Sequence, residues 1–442
     1  MALSTNPYKG TRDFYPEDKR FQNYLFSVMR KVVERYGYQE YETPLIEPLE
    51  MYLAKTSSEI VNDQTYVFDD RGGRKVVIRP EMTPSVSRIL AAKRQDLAYP
   101  LRWYCIANVW RYERPQKGRL REHWQLNVDL FGVAGIEGDH EIIAIADSIL
   151  KAYGAKSSNY SIKVNSRKLI NHILIDYLEL EATQVSGLMK LIDHMHKIEY
   201  AEFATEVDML INPSQREAGT GKKLLNLLKV NSIYDLPADL KSYESVANLQ
   251  RLFTMLEKSK IKNFDFDITL MRGFDYYSDI VFEVYDTDPS NNRSMFGGGR
   301  YQGLVELFGA RPVDSVGFGM GDVSLANFIE AHGLTPKLTL GVDLFVALAG
   351  DVYLKAQPLL KDIRGMGINI AVDSSGSKLD KQLKSASKQS YKFVLIIGEK
   401  ELDSEQYTLK NLQTGEEEKH SIERIVSIVK DNRTSRKDGL LS

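Results

Sequence analysis

At 442 residues the chain exceeds what one hydrophobic core usually supports, which sets an expectation of two or three domains. Hydrophobic residues make up 43% and charged residues 27%, near the average for soluble folded chains, so disordered, collagenous and disulfide-scaffold classes are excluded. A formal net charge of −2 gives no global attraction for a polyanion, and any nucleic-acid surface has to be local.

The opening MALSTNPYKGTRDFYPEDKR lacks an apolar run with a small-residue cleavage site, and no stretch reaches the roughly 18 apolar residues of a spanning helix. Cytoplasmic residence with no membrane partner is the expectation. Phe21, Leu25, Val28, Val32 and Tyr36 recur at helical spacing and predict an amphipathic helix over 17–37, stopped at Gly37. YQEYETPLIEP (38–48) is extended in character, and Pro44 and Pro48 suit it to an edge or interface strand. In VVIRPEMTPSVSRI (76–89), Thr83 followed by Pro84 predicts a helix start, with Thr83 as N-cap. Glu81 lies just beyond the β-branched run, where an ammonium group would find a partner.

LRWYCIANVWRY (101–112) and LREHWQLNVDLFG (120–132) predict two antiparallel strands joined by a charged loop. Cys105, the only cysteine, can form no intramolecular disulfide or cysteine-based metal site and is expected in the core. Residues from 166 to 260 predict mostly helices without chemical motifs, an insertion. RGFDYYSDIVFE (272–283) sets Arg272, Tyr276 and Tyr277 before an alternating run, either an ordinary sheet edge or the floor of a ligand site. The glycines of MFGGGRYQGLVELFG (295–309) mark a tight turn, a bulge or a close backbone approach. SVGFGMGDVSLANFIEAHG (315–333) predicts strand, glycine turn and helix. Neither stretch fits a dinucleotide fingerprint or a phosphate loop. After a linker, LTPKLTLG, strands and helices alternate at βαβ spacing, predicting a small α/β domain over 342–442.

Two basic features stay open on charge alone. The loop RYERPQKGRLRE (111–122) sets Arg111, Arg114, Lys117, Arg119 and Arg121 against Glu113 and Glu122. It is either a solvated hairpin tip or a clamp for phosphate oxygens, which guanidinium forks match. Lys378, Lys381, Lys384, Lys388 and Lys392 recur at helical spacing, at least the first four along one face, either merely solvated or set for an RNA backbone.

In order and nearly end to end, these segments resemble the histidyl-tRNA synthetases, a family of class II aminoacyl-tRNA synthetases. YGYQEYETPLIEP resembles the first class II motif and VWRYERPQKGRLREHWQLNVDLFG the second, while RGFDYYSDIVFE and GGGRYQGLVELFG resemble the two histidine-binding motifs of the family. The resemblance implies an α+β fold: an antiparallel catalytic sheet flanked by helices over 1–335, with a helical insertion over 166–260, and a C-terminal α/β anticodon-binding domain over 342–442. It implies ATP-dependent attachment of histidine to tRNA(His) through a histidyl-adenylate, with Mg²⁺ and a homodimer built on the first motif. Carried over position by position, Glu81, Thr83 and Gln125 hold the histidine ammonium, Asp129 and Tyr277 meet the two imidazole nitrogens, and Tyr276 completes the wall. Arg111 and Arg272 are implied to grip the α-phosphate and to serve as the catalytic pair. Glu113 joins them at ATP, while Arg114, Lys117 and Arg119 are implied to meet the acceptor end of tRNA. No metal ligand is assigned.

One motif departs from the family. The third class II motif usually ends in Gly-Leu-Glu-Arg, its arginine meeting the γ-phosphate of ATP; here Asp322, Val323 and Ser324 stand in GMGDVSL. The change removes a phosphate donor and places a carboxylate nearby. Either Mg²⁺ or an arginine of the 111–121 loop takes over, or ATP chemistry is lost. Loss would make the chain a silent relative like the synthetase-like regulatory subunit of ATP phosphoribosyltransferase, or a tRNA-binding paralogue. The candidate anticodon domain and the full set of pocket residues favour the enzyme.

Overall fold

Pro16 opens the first helix, α1 (Pro16–Arg35), where its fixed φ suits the first turn and its missing N–H costs nothing. Asp18 accepts the Tyr15 backbone N–H, and Leu25, Val28, Met29, Val32 and Val33 form the buried stripe. The computed structural model describes residues 3–53, 64–116, 118–271, 276–291, 293–338 and 341–437. These fall into two compact units, Met1–Thr335 and Pro336–Ser442.

The first unit is built on an eight-stranded, mainly antiparallel sheet. Its strands are β1 (Gln39–Glu40), β5 (Leu101–Trp110), β6 (Glu122–Phe131), β7 (Tyr160–Ser166), β8 (Phe264–Phe266), β9 (Tyr277–Asp286), β10 (Ser294–Tyr301) and β11 (Ser315–Gly321). Their order is β1-β5-β6-β11-β10-β9-β7-β8, with only β1–β5 and β7–β8 parallel. A second, three-stranded antiparallel sheet has the order β2 (Ile46–Pro48), β4 (Lys75–Ile78), β3 (Tyr66–Asp69). β5 and β6 pair over their whole length, as the two aromatic, β-branched runs predict.

The pleat explains how the large sheet serves two purposes. Leu126, Val128 and Leu130 of β6 are buried on one face, where α3 (Glu137–Ala152) packs against β6 and β11 and α1 packs on α3. Arg300 of β10 is buried there, bonding Asp139 and the carbonyls of Val133 and Gly135 at the start of α3. The odd-numbered residues of β6 point to the opposite face. A run of short helices, ending in α4 (Glu244–Lys258), separates β7 from its parallel partner β8. Cys105 is fully buried, as expected.

The helix after β4, α2 (Thr83–Lys93), begins one residue earlier than the N-cap reading requires. Met82 is the N-cap and already has helical backbone angles, and Thr83 makes no capping bond. Its hydroxyl lies 3.4 Å from the Tyr276 hydroxyl instead, a partner that only the folded chain supplies.

The second unit forms a five-stranded mixed sheet, β13 (Ile370–Val372), β12 (Leu344–Ala349), β14 (Phe393–Gly398), β15 (Tyr407–Asn411), β16 (Glu417–His420) in that order. The first three are parallel, and β15 and β16 add antiparallel to the βαβ pattern. Lys378, Lys381, Lys384 and Lys388 are exposed at and along a helix, Leu379–Lys388. Lys392 lies beyond that helix, with its ammonium donating to Asn432 at 2.8 Å, so it does not extend the stripe.

Candidate active site

The open face of the large sheet carries a cavity of about 250 Å³ whose floor follows from two interlocking periods of two. His123, Gln125, Asn127 and Asp129 alternate along β6 and all line the cavity. Opposite them in register stand the glycines of β11: Gly321 pairs with Gln125, Gly319 with Asn127 and Gly317 with Asp129. A Cβ at Gly317 would overlap the Asp129 carboxylate, and one at Gly319 would overlap the Gln125 amide. The polar side chains of one strand therefore lie across the bare backbone of its neighbour, and the glycines of GFGMG are a site floor rather than a turn. In β10, a Cβ at Gly298 would strike the Gly317 carbonyl, so the sheet is tightly drawn together beneath the floor.

One end of the cavity is acidic and deeply buried. Glu81 is 2% exposed and accepts a 2.8 Å hydrogen bond from the Tyr276 hydroxyl, across 195 residues of chain. Asp129 is 5% exposed and accepts from the Tyr301 hydroxyl at 2.8 Å. Burial raises the Asp129 carboxyl to about 7, and the Tyr301 bond offsets part of that rise. The Tyr276 and Tyr301 hydroxyls are pushed well above their ordinary range, first by burial and then by the adjacent carboxylates. Tyr277 lines the same end, tilted against Tyr276 with ring centroids 5.0 Å apart. Gln125 donates its amide N–H to Asn127 at 2.8 Å, and its side chain also bonds the His123 imidazole.

The other end is basic. Arg111 lines it, with Nε donating to the Pro80 carbonyl at 2.9 Å, and Glu113 and Arg119 join it from the loop after β5. Arg119 and Glu113 approach to 3.4 Å. The His123 imidazole is pushed down to about 3, first by burial and then by the guanidiniums of Arg111 and Arg12. These effects favour its neutral form. Arg114 is exposed and outside the cavity lining, whereas Arg121 is buried. Arg121 donates to the Tyr8 hydroxyl at 2.8 Å, and its guanidinium lies 3.9 Å from the Tyr112 ring centre, tying the N-terminal segment to the loop base. Arg272 and Lys117 lie outside the described residues.

The altered third motif resolves into two separate roles. Asp322, the first residue of α5 (Asp322–Ala331), does not add free negative charge to the cavity. It is 2% exposed, pairs with Arg12 at 2.8 Å and accepts the Trp124 backbone N–H at 3.0 Å. Ser324 does line the cavity, with its hydroxyl folded back onto the Met295 carbonyl at 2.8 Å.

Glu81, Thr83, Arg111, Glu113, Arg119, Gln125, Asp129, Tyr276 and Tyr277 are thus gathered around one cavity. Sequence reasoning passed over Asn127, His123, Tyr301, Glu283 and Phe296, which share that lining. The alternation 123, 125, 127, 129 was a usable signal for the first two. Tyr301 reaches Asp129 only through strand pairing. Such a cavity suits a ligand with an ammonium and a ring N–H at one end and phosphates at the other. Among the described residues that line it, none forms a nucleophile–base pair.

A family model described as histidyl-tRNA synthetase matches residues 10–322, and one described as an anticodon binding domain matches residues 343–432. A Leptospira biflexa protein named histidine–tRNA ligase is 42% identical over 414 residues, covering 93% of this chain and 94% of its own. One of the same name from Pyrococcus horikoshii is 34% identical over 438 residues, covering 96% and 98%. The crystal structure of histidyl-tRNA synthetase from Nostoc sp. PCC 7120 superposes with a TM-score of 0.80 at 24% identity, covering 98% of this chain and all of that one, which supports the fold. By the extent of the family match and the identity to these relatives, the chain belongs to the histidyl-tRNA synthetase family.

Proposed function

We propose that this chain attaches histidine to tRNA(His), with ATP as the second substrate. The observation that carries the reading is one cavity with Glu81, Gln125 and Asp129 at one end and Arg111 at the other. Glu81, Thr83 and Gln125 receive the ammonium. Asp129 and Tyr277 take the imidazole, whose one donor and one acceptor leave unpaired partners when another amino acid enters. Arg111 and Arg272 hold the α-phosphate, with Glu113 beside them.

The histidine carboxylate attacks the α-phosphorus, the bond to the bridging oxygen breaks and pyrophosphate leaves with the electron pair. The terminal ribose hydroxyl of tRNA then attacks the acyl carbon and AMP leaves. No covalent enzyme intermediate is needed, so positioning and charge stabilisation carry the catalysis. Arg114, Lys117 and Arg119 meet the acceptor end. Among the described residues no group of three or more His, Cys, Asp or Glu side chains gathers as a metal site. Mg²⁺ would bind through substrate phosphates and one or two carboxylates, and Glu113 and Glu283 of the cavity lining would supply them. Mg²⁺ supplies charge neutralisation at the phosphates.

On this reading residues 1–335 are the catalytic domain, with 166–260 inserted, and 342–442 bind the anticodon. The regulatory-subunit alternative is not favoured, since the relatives are named as ligases and the anticodon model matches. A homodimer through the small sheet is supported by Leu45, Ile46, Val67 and Phe68, each more than 40% exposed on or beside β2 and β3. No described helix is long and apolar enough to cross a membrane, and a cytoplasmic setting is proposed. ATP–pyrophosphate exchange over a panel of amino acids tests the activity: signal with histidine alone supports it, and silence refutes it. Light scattering at the mass of one chain would refute the dimer.

A further inference from the structure

We propose that Arg293, with Arg119, Ser324 and Asn327, forms the subsite for the terminal phosphates of ATP and for the departing pyrophosphate, replacing the arginine that the third motif lacks. The inference rests on the reading of the main cavity as the nucleotide site. A second cavity, of about 320 Å³, adjoins the first and shares Gly118, Arg119, Ser294, Met295 and Ser324 with it. Among the described residues no carboxylate lines this second space, while two guanidiniums do, Arg119 and Arg293. Ser324 belongs to both cavities. Its short side chain, bonded back to Met295, leaves open the volume that a long side chain at this position would enter.

The cation arrives from another element instead. Arg293 sits at the start of β10 and is exposed, and among the described residues it has no ion-pair partner. Arg119 lines the same cavity from the loop after β5, and its side chain makes a 3.4 Å contact with Glu113 that is exchangeable at 55% side-chain exposure. Asn327 lies one turn beyond Ser324 on α5. A Cβ on Gly118 would lie 3.8 Å from its amide nitrogen, so the loop closes over the helix at that point. Two guanidiniums and an amide around a cavity lined by no described carboxylate are the chemistry of a phosphate site. When the bond from α-phosphorus to the bridging oxygen breaks, charge accumulates on the leaving pyrophosphate, where these cations act.

Arg293→Ala in the full chain tests this. The KM for ATP in exchange and the KM for pyrophosphate in the reverse reaction should each rise roughly 10- to 100-fold, as loss of a charge-assisted contact implies. The KM for histidine should stay unchanged, as should single-turnover transfer from preformed enzyme-bound adenylate to tRNA. Adding Ser324→Arg to that variant should restore part of the loss, which a structural role for Arg293 would not permit. Normal KM values for ATP and pyrophosphate overturn the proposal. So does a defect confined to transfer or to the KM for tRNA, which assigns the cavity to an RNA phosphate. Absence of exchange in the unaltered chain is a different result, refuting the activity itself and this subsite with it.

Discussion

Replacing Asp129 with asparagine separates what this carboxyl contributes to histidine selection from what it costs the fold. Asp129 is 5% exposed, and burial raises its carboxyl to about 7. In the unfolded chain it returns to about 3.9. Between about pH 4 and pH 7 the folded protein therefore holds a proton that the unfolded chain has already released. Stability falls as pH rises through that window and stays at its lower value above it. Three units at 1.36 kcal/mol each amount to about 4 kcal/mol at this one position. Asparagine cannot ionise, and its oxygen can still accept from Tyr301, so the variant escapes the penalty. Urea unfolding of both proteins should show the variant gaining about 3 kcal/mol relative to the parent between pH 4.5 and pH 8.5. The same variant should raise the KM for histidine roughly tenfold or more, because an uncharged oxygen replaces a carboxylate at the imidazole. A stability difference that does not change with pH would refute burial as the cause of the raised carboxyl.

Three further outcomes follow. Arg272→Ala should lower ATP–pyrophosphate exchange by roughly a hundredfold or more, as loss of a transition-state donor does; a near-normal rate removes Arg272 from the α-phosphate. Tyr276→Phe takes away the 2.8 Å donor to buried Glu81, and the KM for histidine should rise by about 1–3 kcal/mol of lost binding. An unchanged KM would limit Tyr276 to a wall. Gly298→Ala would set a methyl group against the Gly317 carbonyl and 2.6 Å from the Phe318 Cα, costing roughly 1–3 kcal/mol in calorimetry. A parental Tm would mean that β10 and β11 can part locally.

Much of the architecture was readable because it rests on short periods. The stripe of α1, the pairing of β5 with β6 and the strand–helix alternation after residue 342 depend on neighbours two to four positions apart. Local signals failed where a distant partner competed for the same group. Thr83 looks like an N-cap, but its hydroxyl meets Tyr276 rather than the first helical turn. Asp322 looks like added charge at the phosphates, but Arg12, 310 residues earlier, and the Trp124 N–H take both of its oxygens.

The sequence alone determined the kinds of element, their order and the residue types from which a histidine and nucleotide site can be made. Only the tertiary structure decided which of those residues share a cavity. Strand register set Asp129 over Gly317, packing brought Glu81 to Tyr276, and burial raised the Asp129 carboxyl. Register, desolvation and charge pairing depend on atoms remote in sequence, and none of them is a property of a local run of residues.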